Sequence, residues 1–129
     1  MIVLDTHAWV WWVGETGDLS RGAERAISEA EQIGISAISC WEVAMLVARG
    51  RLELTLEAGR WVETALAMPR VVELQLDART AVRAGGLDRE KFPGDPADRI
   101  IYATAVERGV RLVSQDTKIT DFDSARVLW

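Results

Sequence analysis

Four acidic side chains in this chain lie far apart in sequence, and each borders a short apolar run. Asp5 and Asp116 follow runs that predict buried strands, whereas Glu42 and Asp98 lie near the start of runs that predict helices. If the strands are parallel neighbours, all four carboxylates meet in one crevice. A cluster of carboxylates needs a cation, and Mg²⁺ and Mn²⁺ prefer oxygen ligands. The pattern therefore predicts a divalent-metal site.

The chemistry of such a site suits phosphoryl displacement. Bound cations lower the pKa of a water molecule and stabilise the attacking and leaving oxygens. The chain has one histidine, one cysteine and no Gly-x-Ser-x-Gly motif, so few other catalytic groups compete. Each acid also has a structural alternative: Asp116 as a turn residue, Asp98 as a helix N-cap and Glu42 as a solvated first-turn acid. Asp5 is the hardest to explain structurally.

The elements that would position these acids alternate along the chain. Apolar runs predict strands at residues 2–4, 33–36, 71–74, 110–114 and 127–129, and helices at residues 8–13, 20–31, 39–50, 56–68, 77–84 and 98–108. Thr6 is the predicted cap of the first helix. Alternation predicts one α/β domain over residues 1–129 with a mainly parallel sheet. Ligands of such sheets bind beyond the carboxyl ends of the strands, where the order of the strands reverses.

Composition narrows the functional class. The chain is 49% hydrophobic and 27% charged, which is typical of a folded globular protein. No apolar run approaches the roughly 20 residues of a membrane span, and no signal peptide precedes the first strand, so we expect a cytoplasmic protein. The lone Cys40 predicts a small buried thiol in a reducing compartment. A net charge of −5 weakens a nucleic-acid hypothesis, but the four acids account for most of it.

Four sequence motifs in order resemble those of the PIN domain family, and within it the VapC-type toxins of toxin–antitoxin pairs. They are LDTHAWVWW at 4–12, SAISCWEVAMLVARGRLEL at 36–54, DPADRIIYATAVERG at 95–109 and LVSQDTKI at 112–119. The resemblance spans nearly the whole chain. It implies a three-layer α/β/α fold with a parallel sheet of about five strands between helices.

The resemblance also implies metal-dependent endonucleolytic cleavage of RNA. It matches the acids of the family to Asp5, Glu42, Asp98 and Asp116, with Thr6 as a neighbouring hydroxyl. Asp95 is a rival for the third position; we prefer Asp98 because the D-x-x-x-x-A-x-A spacing fixes it. Mg²⁺ or Mn²⁺, as one ion or two, is the implied cofactor. The implied partners are RNA, a cognate antitoxin protein and a second copy in a homodimer, with no membrane association.

Other residues have functional and structural interpretations. His7 could assist at the site but more simply bonds locally. Six tryptophans could stack on bases, form the core or form a protein interface. A group of basic residues could hold phosphates or simply be solvated: Arg49, Arg51, Arg89, Lys91 and Arg99. Arg99 could instead orient Asp98, its neighbour in sequence.

Two rival functions remain at this point. One is a phosphotransfer or phosphatase-like domain that forms an aspartyl phosphate, for which Lys118 would have to serve as the late lysine of such folds. The other is a catalytically silent PIN domain that binds a partner.

Overall fold

A computed structural model describes all residues 1–129, and five strands alternate with seven helices in it. The strands are β1 (Ile2–Leu4), β2 (Ile33–Ser36), β3 (Val71–Leu74), β4 (Arg111–Val113) and β5 (Val127–Leu128). The helices are α1 (Thr6–Gly14), α2 (Arg21–Glu29), α3 (Ala37–Ala48), α4 (Ala58–Leu66), α5 (Ala78–Gly85), α6 (Pro96–Arg108) and α7 (Thr117–Phe122).

The strands form one parallel sheet in the order β3-β2-β1-β4-β5. Leu4 of β1 pairs with Ile35 of β2 on one side and with Val113 of β4 on the other. The chain thus winds outward from β1 in one direction and later returns to its other side, so the strand order reverses between β1 and β4. The prediction of about five mainly parallel strands is confirmed, and every pairing is parallel.

Helices cover both faces of the sheet because side chains alternate along each strand. Leu4 faces one core cluster, which it shares with residues of α1 to α4 such as Trp9 and Trp61. Val3 faces the other cluster, formed with residues of α6 and α7 such as Ile101. Each fully buried Leu, Ile or Val contributes about 1.5–3 kcal/mol. The resulting α/β/α layering confirms the predicted fold class.

Several helix starts differ from the prediction, because an earlier polar side chain caps each helix. The α1 cap is Asp5 rather than Thr6, which lies inside the helix and is buried. Ser36 caps α3, so this helix begins before Ser39. Asp95 caps α6, which begins at Pro96 rather than at residue 98. Helix α7, capped by Asp116, is absent from the prediction.

Two further expectations concern solvent exposure. Cys40 is half-buried rather than fully buried. Of the tryptophans, Trp9 packs edge-on against Trp61 in the core with ring centroids 4.9 Å apart, whereas Trp41 is 56% exposed. No helix has both the length and the apolar character that crossing a membrane requires.

Candidate active site

A crevice of about 690 Å³ opens beyond the carboxyl ends of β1 and β4, at the point where the strand order reverses. All four predicted acids line it, and Asp95 is a fifth. The remaining lining residues are polar or aromatic, with no lysine or arginine among them: Thr6, His7, Trp11, Gln115 and Thr117. The crevice is therefore rich in negative charge and poor in positive charge.

Three of the acids are held by the same local device, an N-cap hydrogen bond at the start of a helix. The Oδ1 atom of Asp5 accepts the Ala8 amide at 2.8 Å. The Oδ1 atom of Asp95 accepts the Asp98 amide at 3.0 Å, and that of Asp116 accepts the Lys118 amide at 2.8 Å. Each bond fixes a side-chain orientation and satisfies a free helix amide. The second oxygen of each carboxylate does not take part in the cap.

Glu42 reaches the crevice from the second turn of α3, and it is buried with 8% exposure. The structural alternative of a solvated first-turn acid is therefore wrong. Its carboxylate accepts no hydrogen bond and forms no ion pair. The Glu42 carboxylate thus has no donor or cation of the protein to bond, and a bound cation would supply one. This position is consistent with a ligand for a cation.

The structure brings Glu42 and Asp98 close to Asp95, the rival for the third acidic position. Oxygen atoms of Glu42, Asp95 and Asp98 all lie within 4.8 Å of one another. Asp95 is exposed and Asp98 half-buried, one helical turn apart at the start of α6. The preference for Asp98 over Asp95 stays a prediction, because the structure places both side chains at the crevice.

Burial, together with the crowding of like charges, changes the pKa of two acids in the site. The pKa of Asp98 is raised from 3.8 to about 7, first by burial and then by repulsion from Asp95, Glu42, Asp116 and Asp5. Burial also raises the pKa of Asp5, although the Ser114 hydroxyl, the Ala8 amide and His7 oppose this. Both shifts favour the neutral acid. A bound cation would lower both pKa values, because a nearby opposite charge favours the ionised carboxylate.

Thr6, a predicted auxiliary residue, and His7, which could assist at the site, have different surroundings. The Thr6 hydroxyl donates to the Ser39 hydroxyl at 3.1 Å, and both side chains are buried, so Thr6 ties α1 to α3 beneath the acids. His7 is exposed at the crevice rim, where its ring centroid lies 5.7 Å from that of Trp11. Trp11 is a lining residue that the sequence did not single out. Its i, i+4 spacing from His7 was the available signal.

The basic residues considered for phosphate binding lie elsewhere. None of the five lines the crevice. Arg49 caps the far end of α3, and Arg99 makes no ion pair with Asp98.

Comparisons with known proteins identify the family of the chain. The family model described as "PIN domain" matches residues 2–125. The chain belongs to the PIN domain family. Ribonuclease VapC22 of Mycobacterium tuberculosis (strain ATCC 25618 / H37Rv) is 39% identical to this PIN domain over 119 residues, which are 92% of this chain and 88% of that protein. This places the chain among the VapC-type members of the family.

Solved structures show the same fold at lower identity. VapBC2 from Rickettsia felis, bound to a DNA fragment from its promoter, has a TM-score of 0.70 and 17% identity, covering 98% of this PIN domain chain and 97% of that one. VapC20 from Mycobacterium tuberculosis, a toxin that cleaves the sarcin–ricin loop, has a TM-score of 0.67 and 16% identity, covering 98% and 99%.

Proposed function

We propose that this PIN domain is a divalent-metal-dependent endoribonuclease and the toxin component of a toxin–antitoxin pair. The observation that carries the proposal is one crevice lined by five carboxylates with no lysine or arginine to neutralise them. The 39% identity to a protein named as a ribonuclease supports RNA as the substrate. The catalytic residues in this proposal are Asp5, Glu42, Asp98 and Asp116, with Asp95 and Thr6 as auxiliary candidates.

The donor set fits a hard cation such as Mg²⁺ or Mn²⁺, because every acidic donor is a carboxylate oxygen. When bound, such a cation lowers the pKa of a water molecule and stabilises the charge that develops on phosphate oxygens. The role of the chain is to hold carboxylates close together before the cation arrives. The N-cap bonds of Asp5, Asp95 and Asp116 fix the orientation of these side chains. Buried Glu42 forms the floor of the crevice.

The phosphotransfer alternative requires a lysine beside the acids. Lys118 is exposed and does not line the crevice, so the geometry favours hydrolysis over formation of an aspartyl phosphate. Incubation with a phosphoryl donor and acid trapping at Asp5 would distinguish the two functions.

The central experiment measures cleavage of end-labelled RNA by the wild type and by Asp5→Asn, with Mg²⁺ or Mn²⁺ and with a chelator. We expect cleavage by the wild type with metal, and a loss of at least about 100-fold in Asp5→Asn, comparable to removal of one preorganised charge-stabilising group. Asp121→Asn is the matched control, because Asp121 is exposed on α7 and has no hydrogen bond or ion pair. Equal cleavage by the wild type and Asp5→Asn would refute the proposal.

The assignment as a toxin rests on the same site and is tested in cells. Wild-type expression is expected to arrest growth and Asp5→Asn expression is not, and co-expression of a cognate antitoxin should restore growth. VapBC2 from Rickettsia felis supports such a partner. So does a toxin–antitoxin complex from Klebsiella pneumoniae, which has a TM-score of 0.67 and 22% identity and covers 98% of this chain and 95% of that one. The proposed homodimer predicts twice the chain mass by light scattering. Growth arrest by both the wild type and Asp5→Asn would show that the crevice does not cause the arrest.

A further inference from the structure

Arg99 follows Asp98 on α6, and its guanidinium is occupied by backbone carbonyl groups rather than by the acids. Its nitrogen atoms donate to Phe92 at 2.8 Å, to Leu87 at 2.9 Å and to Gly94 at 3.2 Å, with a longer contact to Ala84 at 3.4 Å. Arg99 forms no ion pair with any carboxylate. A half-buried guanidinium therefore bonds to three carbonyl groups of the connection between α5 and α6 and to one near the end of α5.

This connection, residues 86–95, is the segment that leads into the acid-bearing end of α6. It contains no regular helix or strand, so its carbonyl groups depend on other donors. Bonds from a charged guanidinium are roughly twice as strong as neutral ones, and its planar fork serves several acceptors at once. The same guanidinium lies 5.7 Å from the Phe92 ring centroid, in range of a cation–π contact.

The connection is also pressed directly against Asp98. A Cβ atom added at Gly94 would lie 2.7 Å from a Phe92 ring atom and 3.1 Å from the Cβ atom of Asp98. Phe92 is buried in an aromatic cluster with Tyr102 and Phe122. The position of this backbone therefore determines both where the Asp95 cap starts the helix and how closely it packs beside Asp98.

We propose that Arg99 is a positioning residue for the metal-binding carboxylates of Asp95 and Asp98, acting through the backbone of residues 86–95. This inference rests on the proposed function, since it assigns those carboxylates to a cation. It differs from a phosphate-binding role, because the guanidinium N–H groups are directed at carbonyl oxygens. It also differs from direct orientation of Asp98, because no bond joins the two side chains.

The test compares Arg99→Lys with Arg126→Lys. Lysine keeps the charge but presents a single nitrogen, which cannot reach carbonyls spread along the connection. Arg126 is the control: it is half-buried, donates to the Val110 carbonyl at 2.8 Å, pairs with Asp123 at 3.3 Å and does not line the crevice. Mn²⁺ affinity is measured by calorimetry, and kcat and KM by RNA cleavage. Metal-free hydrogen exchange follows the amides of Phe92 and Asp98.

For Arg99→Lys we expect Mn²⁺ affinity and kcat to fall by about tenfold or more, the range seen when groups that orient metal ligands are changed. KM for RNA should change by less than about twofold. The Phe92 and Asp98 amides should exchange faster in the metal-free protein. Arg126→Lys should lower stability while leaving Mn²⁺ affinity and kcat unchanged. If Arg99→Lys does not fold, Phe92→Leu loosens the same connection and should weaken Mn²⁺ binding in the same direction.

Three results would overturn the inference. Faster exchange with unchanged Mn²⁺ affinity would show that Arg99 only tethers the connection. A raised KM with unchanged metal affinity would make it a phosphate contact. Unchanged exchange would show that the carbonyl bonds do not hold the segment. If the wild type itself binds no Mn²⁺, the proposed function fails first, and this outcome is recognisable without any variant.

Discussion

Asp98→Asn should stabilise the metal-free protein while removing its activity. Asparagine keeps the shape of the side chain but cannot ionise. The pKa of Asp98 in the folded protein is raised from 3.8 to about 7 by burial and by its acidic neighbours. Since each pKa unit corresponds to about 1.4 kcal/mol, the ionised side chain costs the fold about 4 kcal/mol. Asp98 is half-buried, so solvent screening reduces this, and we expect about 2–4 kcal/mol.

The sign of the pH dependence follows from proton binding. Between the unfolded pKa of 3.8 and the folded pKa of about 7, the folded state holds a proton that the unfolded state has released. The stabilising contribution of protonated Asp98 is therefore fully present at low pH and is lost as pH rises through this window. The raised pKa of Asp5 acts in the same direction. The wild type should lose stability over the window relative to Asp98→Asn, and the two should agree near pH 4.

Urea unfolding in the presence of a chelator provides the assay. With an m-value of about 2 kcal/mol/M, the Asp98→Asn midpoint should exceed that of the wild type by about 1–2 M near pH 8. Mg²⁺ should raise the wild-type midpoint and have less effect on the variant, because a ligand that binds the folded state stabilises it. Asp121→Asn should match the wild type throughout. Equal midpoints for the wild type and Asp98→Asn near pH 8 would refute the proposed crowding of charge.

Two further substitutions test the supports of the site. Thr6→Val removes the buried bond to Ser39 and should cost about 1–3 kcal/mol with a partial loss of cleavage, measured by urea unfolding and RNA assays; complete loss of cleavage at full stability would instead make Thr6 a ligand. Gly94→Ala places a methyl group against the Phe92 ring and the Asp98 Cβ atom, and should cost about 1–3 kcal/mol together with reduced Mn²⁺ affinity. Gly85→Ala is its control, since nothing lies within 4 Å of the added Cβ atom; equal effects of the two alanines would contradict the tight contact.

The sheet was predictable because its strands are short, continuous apolar runs that end at polar residues. Ile33–Ser36 and Val71–Leu74 match their predicted bounds, as expected for parallel strands covered on both faces. Helix starts were less predictable, since Asp5 and Thr6 are both good caps and local preference does not choose between them. A tertiary contact decides which of the two residues is the cap. The Asp5 amide donates to the Val113 carbonyl at 3.0 Å, which extends the β1–β4 contact to Asp5. Helix α1 therefore begins after Asp5, whose side chain caps it.

Helix α7 shows a second limit of sequence patterns. Its six residues include two threonines and an aspartate, which have weak helix preference. The helix forms because Asp116 caps it and because Ile119 is buried against the core with Phe122 beside it. Neither condition is visible in a window of this length. The support that Arg99 gives to residues 86–95 is hidden for the same reason, because its acceptors are carbonyl groups, which every residue has.

The position of the site follows from topology more than from any single motif. Asp5 and Asp116 come after neighbouring parallel strands, and each carboxylate begins the next helix, so folding the sheet brings them to one edge. Asp95 is likewise an N-cap carboxylate, at the start of α6. Capping stabilises each helix, yet it gathers carboxylates at one edge of the sheet, and burial and these neighbours raise the pKa of Asp98 to about 7. A site assembled in this way is least stable without a cation, and the pH-dependent difference in stability between the wild type and Asp98→Asn measures that cost.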